Sequence, residues 1–99
     1  MFRLHYENKK EYEYETLIFN HLYKLIKYIN HCKIVLYDID LIEILYREYC
    51  VENDKIPVSY YLHHSELVEK NFIKWMYENI DDVISIINRN LNEKYYITN

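Results

Sequence analysis

The sequence predicts a small α+β domain, helix-rich, with a short sheet packed around a long central helix. Three observations predict it. The stretch Leu17–Ile29, LIFNHLYKLIKYI, is apolar or aromatic at nine of thirteen positions, and its polar residues Asn20, His21, Lys24 and Lys27 fall on one narrow helical stripe. Short stretches elsewhere alternate in polarity or are β-branched, as strands are. Asn, Asp and Ser stand where the helical patterns begin and end. No linker or repeat divides the 99 residues, so residues 1–99 make a single domain.

Phe2, Leu4 and Tyr6 alternate with Arg3 and His5, the period of a half-buried strand, and Asn8 starts a turn. Glu11, Glu13 and Glu15 precede the central helix, and Lys24 and Lys27 lie in its second half, an order that complements the helix dipole. A helix apolar around most of its girth must be covered on several sides, by its own chain or by a second copy. Asn30 is placed to cap its C-terminus. Lys33–Tyr37 reads as a β-branched strand.

Asp40 and Glu43 have the spacing of a capping box that opens a helix with Leu41, Ile44, Leu45 and Tyr49 on one side; Asn53 closes it. Pro57 forbids helix across Ile56, and Val58–Leu62 reads as a third strand. Ser65 caps a helix with Val68, Phe72, Trp75 and Met76 on one face. Asn79 closes that helix, and Asp81 caps a last one with Val83, Ile84, Ile87 and Leu91 inward. Tyr95, Tyr96 and Ile97 form a closing strand.

Half of the residues are hydrophobic, 28% are charged and the formal net charge is −4. That is the balance of a globular protein, and it opposes non-specific nucleic-acid binding, which needs Lys and Arg to neutralise phosphates. No apolar run approaches the ~20 residues that cross a bilayer, and the N-terminus lacks the apolar core of a signal peptide. A soluble protein inside a cell is expected, with no membrane partner. Cys32 and Cys50 have no metal spacing and make no disulfide framework. Buried free thiols are the preferred reading, with a bridge as the alternative.

Gly, Ala and Gln are absent, there is one Pro, and Ile, Tyr, Asn, Lys and Glu dominate. The codons these residues use mark an AT-rich genome. Without Gly, left-handed backbone falls to Asn and less often Asp, so helix ends should fall at Asn.

Several groups of residues bear on chemistry. Ile34–Asp40, a hydrophobic run ending in Asp-x-Asp, resembles the first motif of haloacid-dehalogenase-like phosphatases. That resemblance implies Asp38 as nucleophile and Asp40 as acid/base beside Mg²⁺. Leu41 and Ile42 stand where the motif has Gly-Thr, and the chain is short for a doubly wound sheet, so a turn at Asp38 and a cap at Asp40 is the preferred reading. His63 and His64 are adjacent and on a strand would face opposite ways; loop histidines are preferred over a metal site. The missing Gly removes the phosphate-cradling loops and the nucleophile elbow. No catalytic residue, metal site or cofactor is therefore assigned.

Lys24, Lys27 and His31 share one helical stripe and could meet a nucleic-acid backbone, with tyrosines beside them for stacking; a solvated helix face is the simpler reading. The thirteen tyrosines exceed what a core of this size hides. Tyr is amphipathic and recurs at binding surfaces, and Tyr12, Phe19, Tyr23 and Tyr28 are the expected exposed contacts to a partner.

The run from Tyr12 to Tyr37 and the Tyr/Ile/Asn-rich, Gly-free composition resemble the small proteins of filamentous and rod-shaped viruses of hot acidic springs, the lipothrixviruses and rudiviruses. The likeness spans the full length, and no catalytic motif carries it. It implies a viral accessory protein in the host cytoplasm, with modulation of host defence as one role. The expectation is a non-enzymatic protein acting by protein–protein contact with an unidentified host protein, and a homodimer. The alternatives are a nucleic-acid-binding regulator using Lys24, Lys27 and His31, and a metal-dependent phosphotransferase or nuclease at Asp38 and Asp40.

Overall fold

A computed structural model describes residues 1–8, 13–62 and 64–99 of the chain. The alternation at the N-terminus forms strand β1 (Phe2–Asn8), which pairs antiparallel with β2 (Glu13–Phe19) on one side and β3 (Tyr95–Thr98) on the other. The sheet order is β2-β1-β3. Opposed residues of an antiparallel pair share a face, so Phe2, Leu4, Leu17, Phe19 and Ile97 line one side, and Arg3, His5, Thr16, Ile18, Tyr96 and Thr98 the other. Phe2, Leu4 and Ile97 are buried under the helices. The opposite face is open: His5 sits between the hydroxyls of Thr16 (3.0 Å) and Thr98 (2.8 Å), its ring stacked on Tyr96 at 4.6 Å.

The central helix, α1, runs from Leu22 to His31 and not from Leu17. Leu17, Ile18 and Phe19 belong to β2, paired with Leu4, Arg3 and Phe2; Asn20 is a bend. What remains of the helix has an ordinary amphipathic stripe, Leu22, Leu25, Ile26 and Ile29, all fully buried, at the i, i+3, i+4, i+7 spacing of one face. It packs on β1, β2 and the next helix.

Lys33–Tyr37 is not a strand. Lys33 and Tyr37 hold left-handed backbone, φ 53° and 58°, which breaks the pleat. The segment makes one isolated bridge, Val35 to Leu91, and a 3₁₀ turn at Leu36–Asp38. Helix α2 spans Leu41–Glu52. As expected, Asp40 caps it, its Oδ1 accepting from Ile42 N (2.9 Å) and Glu43 N (3.2 Å). Val58–Leu62 is a turn and not a strand. Among the described residues no strand pairs with it; instead the Glu43 carboxylate accepts from Ser59 Oγ (2.7 Å) and Tyr60 N (3.2 Å), and Leu62 N closes on Ser59 O.

Ser65 caps α3 (Glu66–Glu78) through Val68 N at 3.2 Å. Asn79 ends α3 and begins α4 (Ile80–Arg89). Asp81 is thus inside the first turn of α4 and is not its cap. Phe72 and Met76 of α3 and Val83 and Ile87 of α4 are fully buried.

Helix ends fall at Asn by a different device from left-handed backbone. Asn53, Asn79 and Asn90 each donate a side-chain N–H to the carbonyl four residues back, on Tyr49 (2.8 Å), Trp75 (2.9 Å) and Ile86 (2.7 Å). Carbonyls left free at a helix C-terminus are satisfied this way. Left-handed backbone at the helix ends goes to Lys33 and Asp54, and in the 3₁₀ turn to Tyr37 and Asp38. At Lys33, Ile34 N reaches Ile29 O and Lys33 N reaches Asn30 O; at Asp54, Lys55 N reaches Cys50 O and Asp54 N reaches Val51 O. Both are Schellman closures, which ordinarily carry Gly. Asn30 does not cap α1; its side chain joins α1 to α2, donating to Asp40 Oδ1 (3.1 Å) and accepting from Leu41 N (2.9 Å).

Candidate functional site

The two edges of the sheet differ. On β3, the Asn88 side chain of α4 pairs with both polar groups of Ile97, so an amide stands where a further strand would. β2 carries no such cover among the described residues. Its seven residues hold no Pro or Gly, and its register with β1 is continuous. Leu17 and Ile18 are exposed, Ile18 to 59%. An unbroken edge of this kind is a template for another chain.

Beside β2, on the helix-covered face, Leu17, Tyr28, Cys32, Ile34 and Tyr95 line a groove of about 400 Å³. Phe19 packs on Tyr28 with ring centroids 5.3 Å apart. Tyr6 stacks on Tyr95 at 5.6 Å and donates to the Glu15 carboxylate. That bond to Glu15, with some burial, pushes the Tyr6 hydroxyl up to about 12. The bond to Cys32, then burial, raises Tyr28. Cys32 and Cys50 are both free; Cys50 is buried and Cys32, contrary to expectation, is exposed.

A second concavity, of about 370 Å³, lies between α1, the start of α2, the Tyr60–Leu62 turn and His64. Three tyrosines meet there. The hydroxyls of Tyr23 and Tyr60 are 3.0 Å apart, and Tyr61 donates to Asp40 Oδ2 at 2.7 Å. The Lys27 ammonium stands over the Tyr23 ring, 4.6 Å from its centroid. His64 lies 3.6 Å from Glu69 and 5.0 Å from the Tyr60 ring. Burial raises all three tyrosines above the ordinary phenol value. The Tyr23 hydroxyl adds to the rise at Tyr60, and Asp40 adds to it at Tyr61. They are neutral hydroxyls at pH 7.

Of the partner residues read from sequence, Phe19, Tyr23 and Tyr28 are half-buried and not fully exposed. Phe19 and Tyr28 meet beside β2, whereas Tyr23 faces the tyrosine pocket; Tyr12 lies outside the described residues. Lys24, Lys27 and His31 are exposed on α1. Asp38 is exposed on the 3₁₀ turn and Asp40 is tied to the α2 N-terminus, so the strand that the phosphatase resemblance requires is not there. His63 lies outside the described residues. Among the described residues no three His, Cys, Asp or Glu side chains gather as a metal site, and no helix is long and apolar enough to cross a membrane.

The β2 edge escaped sequence reasoning, though Glu11 to Thr16 alternates acid with Tyr or Thr, a two-residue period. The tyrosine pocket had no local signal, since Tyr23, Asp40 and Tyr61 are far apart in the chain. No family model, curated protein or solved structure matches this chain.

Proposed function

We propose that this is a non-enzymatic accessory protein that works by protein–protein contact, as a homodimer joined along β2. One contrast carries the reading: the β3 edge is closed by Asn88, while among the described residues nothing pairs with the outer edge of β2, which holds the exposed Leu17 and Ile18. A second copy fits that edge by symmetry, because an antiparallel pair of identical strands is self-complementary about a twofold. Centred on Thr16, all seven residues pair, over about 24 Å at the usual strand rise. Glu15 then lies opposite Leu17 of the second copy, and like charges do not meet. Phe19 and Tyr28 flank the seam and would meet the wider partner surface.

The Gly-free, Tyr/Ile/Asn-rich composition supports the viral part of the reading, with the host cytoplasm as the place of action and a host defence component as the target. Light scattering over a concentration series tests the dimer. Twice the mass of one chain is expected, with Ile18→Lys, a charge set on the edge, shifting it to the single-chain mass. One-chain mass for the unaltered protein at high concentration overturns the reading.

A second reading has one observation in its favour: Lys24, Lys27 and His31 are all exposed along one side of α1. A nucleic-acid regulator would bind DNA at low salt and release it as salt rises. Absence of binding at low salt ends that reading.

A further inference from the structure

Asp40 is a cap whose hydrogen bonds fall unequally on its two oxygens. Oδ1 accepts from Asn30 Nδ2, Ile42 N and Glu43 N, and Oδ2 accepts from the Tyr61 hydroxyl. Among the described residues Oδ2 takes this one donor against three on Oδ1, so it is the more open oxygen, at the wall of the tyrosine pocket. Tyr23 and Tyr61 line the same pocket. Tyr61 is 57% exposed, and Tyr23 already carries a cation, the Lys27 ammonium, within the ~6 Å over which a ring face attracts positive charge.

We propose that this pocket binds an alkylammonium cation, its head group on the rings of Tyr23 and Tyr61 and against Asp40 Oδ2, its stem along Ile42. Charge favours a cation over an anion. Three carboxylates surround the tyrosines: Asp40 on Tyr61, Glu43 on the Tyr60 N–H, and Glu69 beside His64. Each acts to raise a tyrosine of the pocket, Glu69 at Tyr23 and Tyr60, Asp40 at Tyr23 and Tyr61, Glu43 at Tyr61. Against them the pocket lining holds Lys27 and, when protonated, His64, and His64 faces Glu69. The tyrosines stay neutral, so their rings offer faces and their hydroxyls offer hydrogen bonds. Lys27 is a resident competitor on a flexible exposed stem, and an incoming head group takes its place over Tyr23.

The head group can be quaternary, as in choline, or primary, as at the end of a lysine side chain, for which butylamine is the probe. The test is an NMR titration of the tyrosine ring signals of the intact chain with choline, with butylamine, with the neutral choline isostere 3,3-dimethylbutan-1-ol and with benzoate. Choline or butylamine is expected to shift Tyr23, Tyr60 and Tyr61 and to bind about tenfold more tightly than the neutral alcohol. The tighter of the two amines identifies the kind of head group.

Asp40→Asn retains an N-cap side chain and is expected to shrink the preference over the alcohol to less than about threefold. Lys27→Met is expected to tighten amine binding, since it removes the competitor. The proposal is overturned if the alcohol binds as well as both amines, if benzoate binds more tightly than either, if Lys27→Met weakens amine binding, or if neither amine moves the ring signals at about 100 mM, where a site this weak has no affinity worth naming.

Discussion

Asn88 and Ile97 exchange two hydrogen bonds: the Asn88 Nδ2 donates to the Ile97 carbonyl at 3.1 Å, and Asn88 Oδ1 accepts from the Ile97 N–H at 2.7 Å. A side-chain amide has the same donor and acceptor as a peptide group, so one residue of α4 imitates a neighbouring strand and locks β3 to the helical layer. Asn88→Ala leaves both backbone groups of a buried residue without these partners. The expected loss is about 2 kcal/mol, read from a shift of the urea midpoint at unchanged slope, with faster amide exchange at Ile97.

Lys33 and Asp54 hold left-handed backbone at φ 53°, where a Cβ crowds the carbonyl at a cost of about 1–2 kcal/mol. Gly removes that crowding but has more freedom to lose in the unfolded chain. Lys33→Gly, in a chain that otherwise has none, is expected to gain about 1 kcal/mol and to raise the melting temperature by about 5 °C. Asp54→Gly should gain less, since Asp tolerates this region better than Lys.

Asp40 holds the first turn of α2, the Asn30 amide and the Tyr61 hydroxyl at once. Asp40→Ala removes the cap and both links and is expected to cost about 2 kcal/mol, at the upper end for a lost N-cap. Asp40→Asn should cost much less, because Asn caps nearly as well. A double-jump urea series on the two variants separates the cap from the charge.

Alkaline pH should unfold the protein in a window set by its tyrosines. A hydroxyl that folding raises above 10 holds its proton more tightly in the native state, so the unfolded chain loses protons first as pH climbs. Stability is therefore fully present below about pH 10 and falls as pH rises toward 12, the value reached by Tyr6. Tyr23, Tyr28, Tyr46, Tyr60 and Tyr61 shift in the same direction. Phenolate absorbance and far-ultraviolet circular dichroism followed together should change in one step; ionisation complete before any loss of helix would contradict it.

Local rules were legible in the sequence wherever one residue type has one physical use. Asp40 and Ser65 before apolar runs marked helix starts, Asn53 and Asn79 marked ends, and Phe2–Leu4–Tyr6 marked a strand. The α+β class followed from those elements. What failed were apolar runs whose neighbours decide their conformation. Leu17–Phe19 continues the helical pattern of Leu22–Ile29, with Asn20 and His21 on the same polar stripe, yet β1 claims it as a strand. Ile34, Val35 and Val58 are β-branched, but among the described residues they find no ladder beyond the single Val35–Leu91 bridge. Lys33 was misread because a helix end without Gly recruits whatever residue follows. Phe19 and Tyr28, named from the sequence as contacts, are half-buried and pack on one another beside β2. The tyrosine pocket could not be named in advance, because only the folded chain brings residues 23, 40 and 61 together.

A sheet with one border sealed and the other uncovered among the described residues has a valence of one. Two such molecules joined along their free borders form six continuous strands whose outer margins are both Asn88 seals, and a third molecule finds nowhere to add. In the proposed pair, Asn88 would thus do for assembly what a chain terminator does for a polymer, holding growth along the sheet to two molecules.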